Sequence, residues 1–131
     1  MKRRVKKSCL QNNLVLITVQ ISGQKLFLFS NKKKIKCYSI STSKYGIGNR
    51  SGSNKTPLGL HQIVSKIGRN APLGTIFKRR RNTGKIARIN KGSGNLITTR
   101  ILRLDGLQKG VNKGKRIDSF QRCIYIHGTP E

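Results

Sequence analysis

The sequence predicts a mainly β domain, and three observations carry that prediction. Apolar residues gather in short runs rich in valine, isoleucine, phenylalanine and threonine. Glycine, asparagine and serine fill the gaps between runs, and neither basic excursion, Ser65 to Arg81 or Thr83 to Gly94, offers the apolar stripe of an amphipathic helix. Branched and aromatic side chains in short runs suit a pleated, half-buried surface.

Asn13 to Gln20 reads as the first strand and Lys25 to Phe29 as its return, with Ser22-Gly23-Gln24 turning between them. Asn31 to Lys34 supplies the next turn and Ile35 to Thr42 a third strand, so the chain opens as a meander. Ser43 to Lys55 is rich in Gly, Ser and Asn. Its glycines are spaced GxGxxxG, no helix-forming run follows, and Asn54-Lys55-Thr56 lacks the glycine before lysine that a P-loop needs. An ordered surface loop is therefore the reading there, not a phosphate cradle. Thr56 to Gly59 turns into a strand that reaches Val64. His61 lies on it with no second ligand in view, and reads as a histidine in an aromatic-sized strand position, not a metal ligand. Ser65 to Arg81 and Thr83 to Gly94 read as irregular, basic excursions. Asn95 to Leu104 is β-branched enough to favour a strand over a short helix, and turn residues fill Asp105 to Lys115. The last run alternates Ile124 and Ile126 with Cys123, Tyr125 and His127, the period of a strand buried on at least one face. It delivers His127 and Gly128 to its far end.

At 131 residues, with 34% of them hydrophobic, the chain is expected to hold one modest core. Residues 1–12 read as a basic arm and 13–131 as the domain. The charge is extreme: 29 Lys and Arg stand against Asp105, Asp118 and Glu131, a formal net charge of +26. Intrachain ion pairs are almost unavailable before residue 105, so runs such as Lys32 to Lys34 and Lys78 to Arg81 meet solvent or outside anions. Non-specific, salt-dependent contact with polyanions follows from that charge. Base readout does not, because no zinc finger or RNP-type aromatic pattern interleaves the basic runs. Cys9, Cys37 and Cys123 are odd in number and lack CxxC or Cys/His metal spacing, so neither a disulfide framework nor a metal site is expected, and no cofactor. The basic start, Met1 to Lys7, is followed by Ser8 to Asn13 and not by an apolar run. No export signal or transmembrane helix is read.

Several separated segments then agree in order: Ser41-Thr42-Ser43, Tyr45-Gly46-Ile47-Gly48-Asn49, Thr56-Pro57-Leu58-Gly59, Ala71-Pro72-Leu73-Gly74, Arg100-Ile101-Leu102, Leu104-Asp105-Gly106-Leu107, Gly110-Val111-Asn112 and Tyr125-Ile126-His127-Gly128. From about Leu14 onward this ordered set resembles the L,D-transpeptidase catalytic-domain family. The resemblance implies a β-sandwich with few short helices, and peptidoglycan cross-linking as the activity. In that chemistry a cysteine thiolate attacks the carbonyl after the L-centre of a diamino acid in a tetrapeptide stem, D-alanine leaves, and an amine of a neighbouring stem takes the acyl group.

His127 matches the family's base and Gly128 the glycine beside it. The family's nucleophile belongs to a Ser-His-Gly-Cys-x-Arg segment roughly fifteen residues further on, so the nucleophile strand is expected to be missing from this chain and the chain to be inactive. Cys123 does not substitute: on a continuous strand it would share the face of His127 at about 13 Å. The resemblance also implies a cell-envelope location, peptide stems as partners and a monomer, with a cytoplasmic location open while no export signal is visible. If the missing segment pairs beside residues 123–128, their edge is left unpaired.

Overall fold

In a computed structural model of the chain, residues 14–89 and 95–130 are described. They form eight strands in two antiparallel sheets, with no helix among the described residues. The mainly β expectation is met. The chain divides between Ser43 and Lys44 into two compact units.

The first unit is the meander β1 (Val15–Gln20), β2 (Lys25–Ser30) and β3 (Lys33–Ser39), in that spatial order. Leu16 faces Phe29 and Ile17 faces Leu28 across β1 and β2. The β2–β3 tip is Asn31-Lys32, both at positive φ (49° and 68°), a two-residue loop whose twist matches the strands it joins. Gln24 ties the far end of the meander. Its side-chain amide donates to Thr42 Oγ1 and accepts from the Thr42 backbone N–H, both at 2.9 Å.

The second unit holds β4 (His61–Ile67), β5 (Thr75–Lys78), β6 (Arg81–Ile86), β7 (Ile97–Gly106) and β8 (Tyr125–Gly128). β7 is the spine. Ile101 pairs with both Ile67 and His127, and Thr98 with both Ile76 and Gly128. β4 and β5 therefore lie end to end along one side of β7, and β8 lies along the other. Among the described residues no strand pairs with the outer edge of β8.

Several boundaries differ from the sequence reading: β3 runs from Lys33 to Ser39, β4 continues to Ile67 and β7 to Gly106, and two larger differences concern the site. The excursions around residues 75–86 contain the β5–β6 hairpin, whose tip Arg79-Arg80 holds positive φ at both residues (47° and 63°) where asparagine and glycine are the usual occupants. Basic residues and Gly84 hide its alternation. The last strand begins at Tyr125, because residues 118–123 form turns instead. Arg122 N–H donates to Asp118 O at 2.9 Å, Ile124 N–H to Ser119 O at 3.1 Å, and Cys123 sits at φ 57°. A left-handed residue breaks the alternation that the sequence presents as continuous.

Of the described residues in this unit, Phe77 and Ile101 are the buried hydrophobic ones, while Thr75, Thr98, Asn112 and Ser119 are buried polar ones. A core built half from polar groups stands only when those groups are paired.

Candidate active site

His127 projects from β8 as an exposed residue opposite Ile101. Its Nδ1 lies 2.8 Å from the carbonyl oxygen of Gly128. A carbonyl only accepts, so Nδ1 carries a proton, and in the neutral imidazole Nε2 then keeps its lone pair. Nε2 has no hydrogen-bond partner among the described residues. That is the protonation pattern of an imidazole able to take a proton. Gly128 sets how closely β8 approaches β7, since a Cβ there would lie 2.7 Å from Thr98 O and 3.0 Å from Thr98 Oγ1. Beside it Thr99 holds φ 70° at the register shift of β7, an unusual backbone for a β-branched residue, with its hydroxyl accepting from Gly74 N–H at 3.1 Å.

Tyr125 precedes His127 by two residues and so shares its face. Arg80, at the hairpin tip, donates from Nη1 to the Tyr125 hydroxyl oxygen at 2.9 Å and lies 3.8 Å from Cys123 Sγ. The Tyr125 hydrogen bond, joined by its charge interaction, holds the Arg80 guanidinium still more firmly protonated than usual. Arg103 stands opposite Tyr125 on β7, stacked 3.8 Å over Phe120, and its Nε is buried without a hydrogen-bond partner. Sequence reasoning missed Arg80 and Arg103: nothing local marks a hairpin tip as reaching a strand 45 residues later.

Most of the separated motifs meet elsewhere, in a scaffold under this strand. Asn112 is fully buried. Its Nδ2 donates to the carbonyls of Leu60 (2.9 Å) and Leu58 (3.2 Å), and its Oδ1 accepts from Gln108 N–H at 2.9 Å. Asn49 does the same from the other side, donating to Leu58 O (3.0 Å) and Val111 O (2.7 Å) and accepting from Leu58 N–H. Gly106 leaves room for the Asn112 carbonyl, which a Cβ would strike. Arg122 links the turn before β8 to the residue 46–56 loop, donating to Lys55 O at 2.7 Å and Gly48 O at 3.3 Å. Burial pushes its guanidinium below the usual value.

His61 is structural in this scaffold. Nδ1–H donates to Gly59 O at 3.0 Å, so Nε2 accepts from the buried Ser119 hydroxyl at 2.8 Å. His61→Phe keeps the volume and orphans that hydroxyl, with an expected loss of about 1–2 kcal/mol in urea unfolding, recovered in His61→Phe/Ser119→Ala.

Asp118 opens the turn that leads into β8. Its carboxylate accepts from Gln121 N–H and Gly114 N–H at 3.1 Å each, which together lower its pKa, the Gln121 bond most. A folded pKa below the unfolded one gives stability that is complete above about pH 4 and fades as pH falls through the folded value. Asp118→Asn is expected to flatten that acid limb of a Tm-against-pH curve. An unchanged limb would show that the caps do not favour the charged form.

Among the described residues no group of three or more His, Cys, Asp and Glu side chains gathers to hold a metal, and no helix is long and apolar enough to cross a membrane. Cys37 is exposed on β3, and Cys9 lies outside the described residues.

The second unit is thus an antiparallel β domain with an exposed histidine on its last strand and, among the described residues, no thiol beside it. The comparison with known families narrows this: the YkuD model, the L,D-transpeptidase catalytic domain, matches residues 15–131. The chain belongs to the L,D-transpeptidase catalytic-domain family. No curated protein and no solved structure matches it.

Proposed function

We propose that His127 is the base of an L,D-transpeptidase site and that the chain recognises peptidoglycan peptide stems at the cell envelope. One observation supports this reading above the others, the Nδ1–H bond to the Gly128 carbonyl that leaves Nε2 free on an exposed strand. In the reaction that this geometry suits, Nε2 takes the proton of a cysteine thiol and the sulfur bonds to the stem carbonyl carbon. The tetrahedral oxyanion then collapses, the C–N bond breaks, and the imidazolium returns its proton to the departing amine of D-alanine. An incoming stem amine reverses these steps and takes the acyl group.

The thiols of the described residues do not suit the nucleophile's part. Cys123 sits in a turn with Sγ toward Arg80 and the Gln121 carbonyl, four residues before His127 and on no shared strand face. Cys37 lies between Lys36 and Tyr38 with no imidazole on its strand. These residues alone are therefore proposed to be inactive. A carbapenem, which acylates a reactive cysteine as a stem does, is expected to leave the intact mass unchanged. A stoichiometric adduct mapped to Cys123 or Cys37 would overturn the inactivity. A stem tetrapeptide is expected to shift the His127 ring resonances, and their indifference would overturn the assignment of the base.

The +26 charge supports a second, weaker reading as a polyanion binder. The single ion pair among the described residues, Lys113 to Asp105 at 3.7 Å, leaves most basic groups without an internal partner. Binding that prefers one nucleic-acid sequence at raised salt would favour it.

A further inference from the structure

The β5–β6 hairpin carries more exposed charge than the fold uses. Lys78, Arg79, Arg80, Arg81, Lys85 and Arg88 are all exposed, and the stretch that holds them contains no carboxylate. Among the described residues the one ion pair is Lys113 to Asp105, so no carboxylate neutralises any of these cations. Arg80 gives one N–H to the Tyr125 hydroxyl and keeps its other donors. The tip also places arginine at two positive-φ positions that asparagine and glycine fill at lower cost.

Aliphatic side chains lie among these cations. Thr75 and Phe77 share one face of β5. Ile86 pairs with Thr75 and Ile97 with Phe77, so both stand on that face. Phe77, Leu96 and Ile97 floor a cleft whose rim is Lys78 to Arg81. Ile86 is 53% exposed and packs against Gly74, where an added Cβ would lie 3.2 Å from its Cγ2. The next residue, Leu73, is 80% exposed, more than any other large apolar side chain among the described residues.

The cations and the aliphatic groups ask different things of a partner. Nucleic acid or an acidic wall polymer satisfies the cations but offers leucine and isoleucine nothing apolar to enter. The one aromatic ring of the hairpin, Phe77, is buried and cannot stack on a base. A small anion does not reach both ends, because the Lys78–Arg81 and Thr75–Ile86 pairs stand three residues apart on β5, about 10 Å. An anionic bilayer meets both, with phosphates at its surface and hydrocarbon just beneath. We propose that the β5–β6 hairpin docks the domain on an anionic phospholipid bilayer. Lys78 to Arg81 meet the headgroup phosphates, while Leu73 and Ile86 enter the boundary between headgroups and acyl chains. The contact is peripheral, involves no spanning segment and does not depend on the role of His127.

The test sediments the full chain with phosphatidylcholine vesicles, with and without phosphatidylglycerol, at physiological ionic strength. Binding is expected to the anionic vesicles alone. Arg79→Gln/Arg81→Gln is expected to weaken it about thirtyfold, and Lys33→Gln/Lys36→Gln, the same loss of charge on exposed β3, to leave it nearly unchanged. Leu73→Asn/Ile86→Asn is expected to weaken vesicle binding about tenfold and to leave binding to polyphosphate unaltered. The sequence contains no tryptophan, so Leu73→Trp introduces a single indole. Its emission is expected to move to the blue on anionic vesicles and to be quenched by brominated acyl chains, while Ile35→Trp on β3 keeps its solvent emission. Equal losses from the hairpin and β3 charge pairs would reduce the binding to bulk charge. Vesicle binding indifferent to Leu73→Asn/Ile86→Asn would make the partner a polyanion such as nucleic acid. An indole at residue 73 that keeps its solvent emission on bound vesicles would put the contact elsewhere. Each of these results overturns the proposal.

Discussion

Asn112→Leu is expected to lower the stability of the unit that begins at Lys44 by about 2–4 kcal/mol, the largest loss of any single substitution considered for this chain. Leucine matches the volume but supplies no hydrogen bonds. The Gln108 N–H then has no acceptor, the Leu60 carbonyl loses its side-chain donor, and Leu58 O keeps only Asn49. The Gln108 N–H, left facing an apolar side chain, costs about 1–3 kcal/mol, and the two carbonyls, each keeping one other donor, add less. The hydrophobic side cannot compensate, since Phe77 and Ile101 are the buried apolar residues described there. A domain of ordinary stability, about 5–15 kcal/mol, would be left marginal. Urea unfolding with the fitted slope held constant measures the loss. Asn49→Ala, at the partly exposed rim of the same network, is the reference and is expected to cost nearer 1 kcal/mol. Equal losses at the two positions would mean that burial of Asn112 is not what makes it matter.

That contrast also explains what was legible in the sequence. The strands of the meander, β4 and the spine β7 announce themselves as short β-branched and aromatic runs bounded by turn residues, and the final Ile-Tyr-Ile run by period-two alternation, all of them local properties. The Gly-Val-Asn and Thr-Pro-Leu-Gly segments were visible as members of an ordered set, yet their purpose was not, because Asn112 reaches Leu58 across 54 residues. The β5–β6 hairpin was hidden for a different reason. Its tip uses arginines where a turn normally advertises itself with asparagine and glycine, so no turn signal separated its strands. The start of β8 was misjudged by the same kind of event. Cys123 continues the alternation as a letter but leaves it as a conformation, and only the bonds from Asp118 and Ser119 reveal the turn. His127 was identifiable because its neighbours carry a family pattern. The bond from Arg80 to Tyr125 was not, because it depends on where a hairpin bends.

Gly128→Ala is expected to separate β8 from β7 and to shift the tautomer of His127 without replacing that residue. The added Cβ would meet Thr98 O at 2.7 Å, Thr98 Oγ1 at 3.0 Å and Thr99 Cβ at 3.1 Å. The first of these is backbone of a buried residue in the sheet's spine, so it cannot swing aside as a long side chain would. Overpacking of this kind costs about 1–3 kcal/mol. β8 is the element able to yield, being four residues long and paired on one side. Amide exchange at Tyr125 to Gly128 is expected to rise about tenfold or more while β4 and β7 change little. The chemical consequence travels through one bond. Gly128 O is the acceptor that favours the proton on Nδ1, and moving that oxygen lets the imidazole populate the tautomer with Nε2 protonated, in which Nε2 accepts no proton. Imidazole nitrogen shifts read that redistribution directly. Gly110→Ala supplies the contrast, because it meets open space at φ 80°, strains only its own turn, and is expected to leave the His127 tautomer intact. A Gly128→Ala protein with unchanged exchange and an unchanged tautomer would show that β8 tolerates the methyl group, and that the placement of His127 does not depend on how closely the two strands approach.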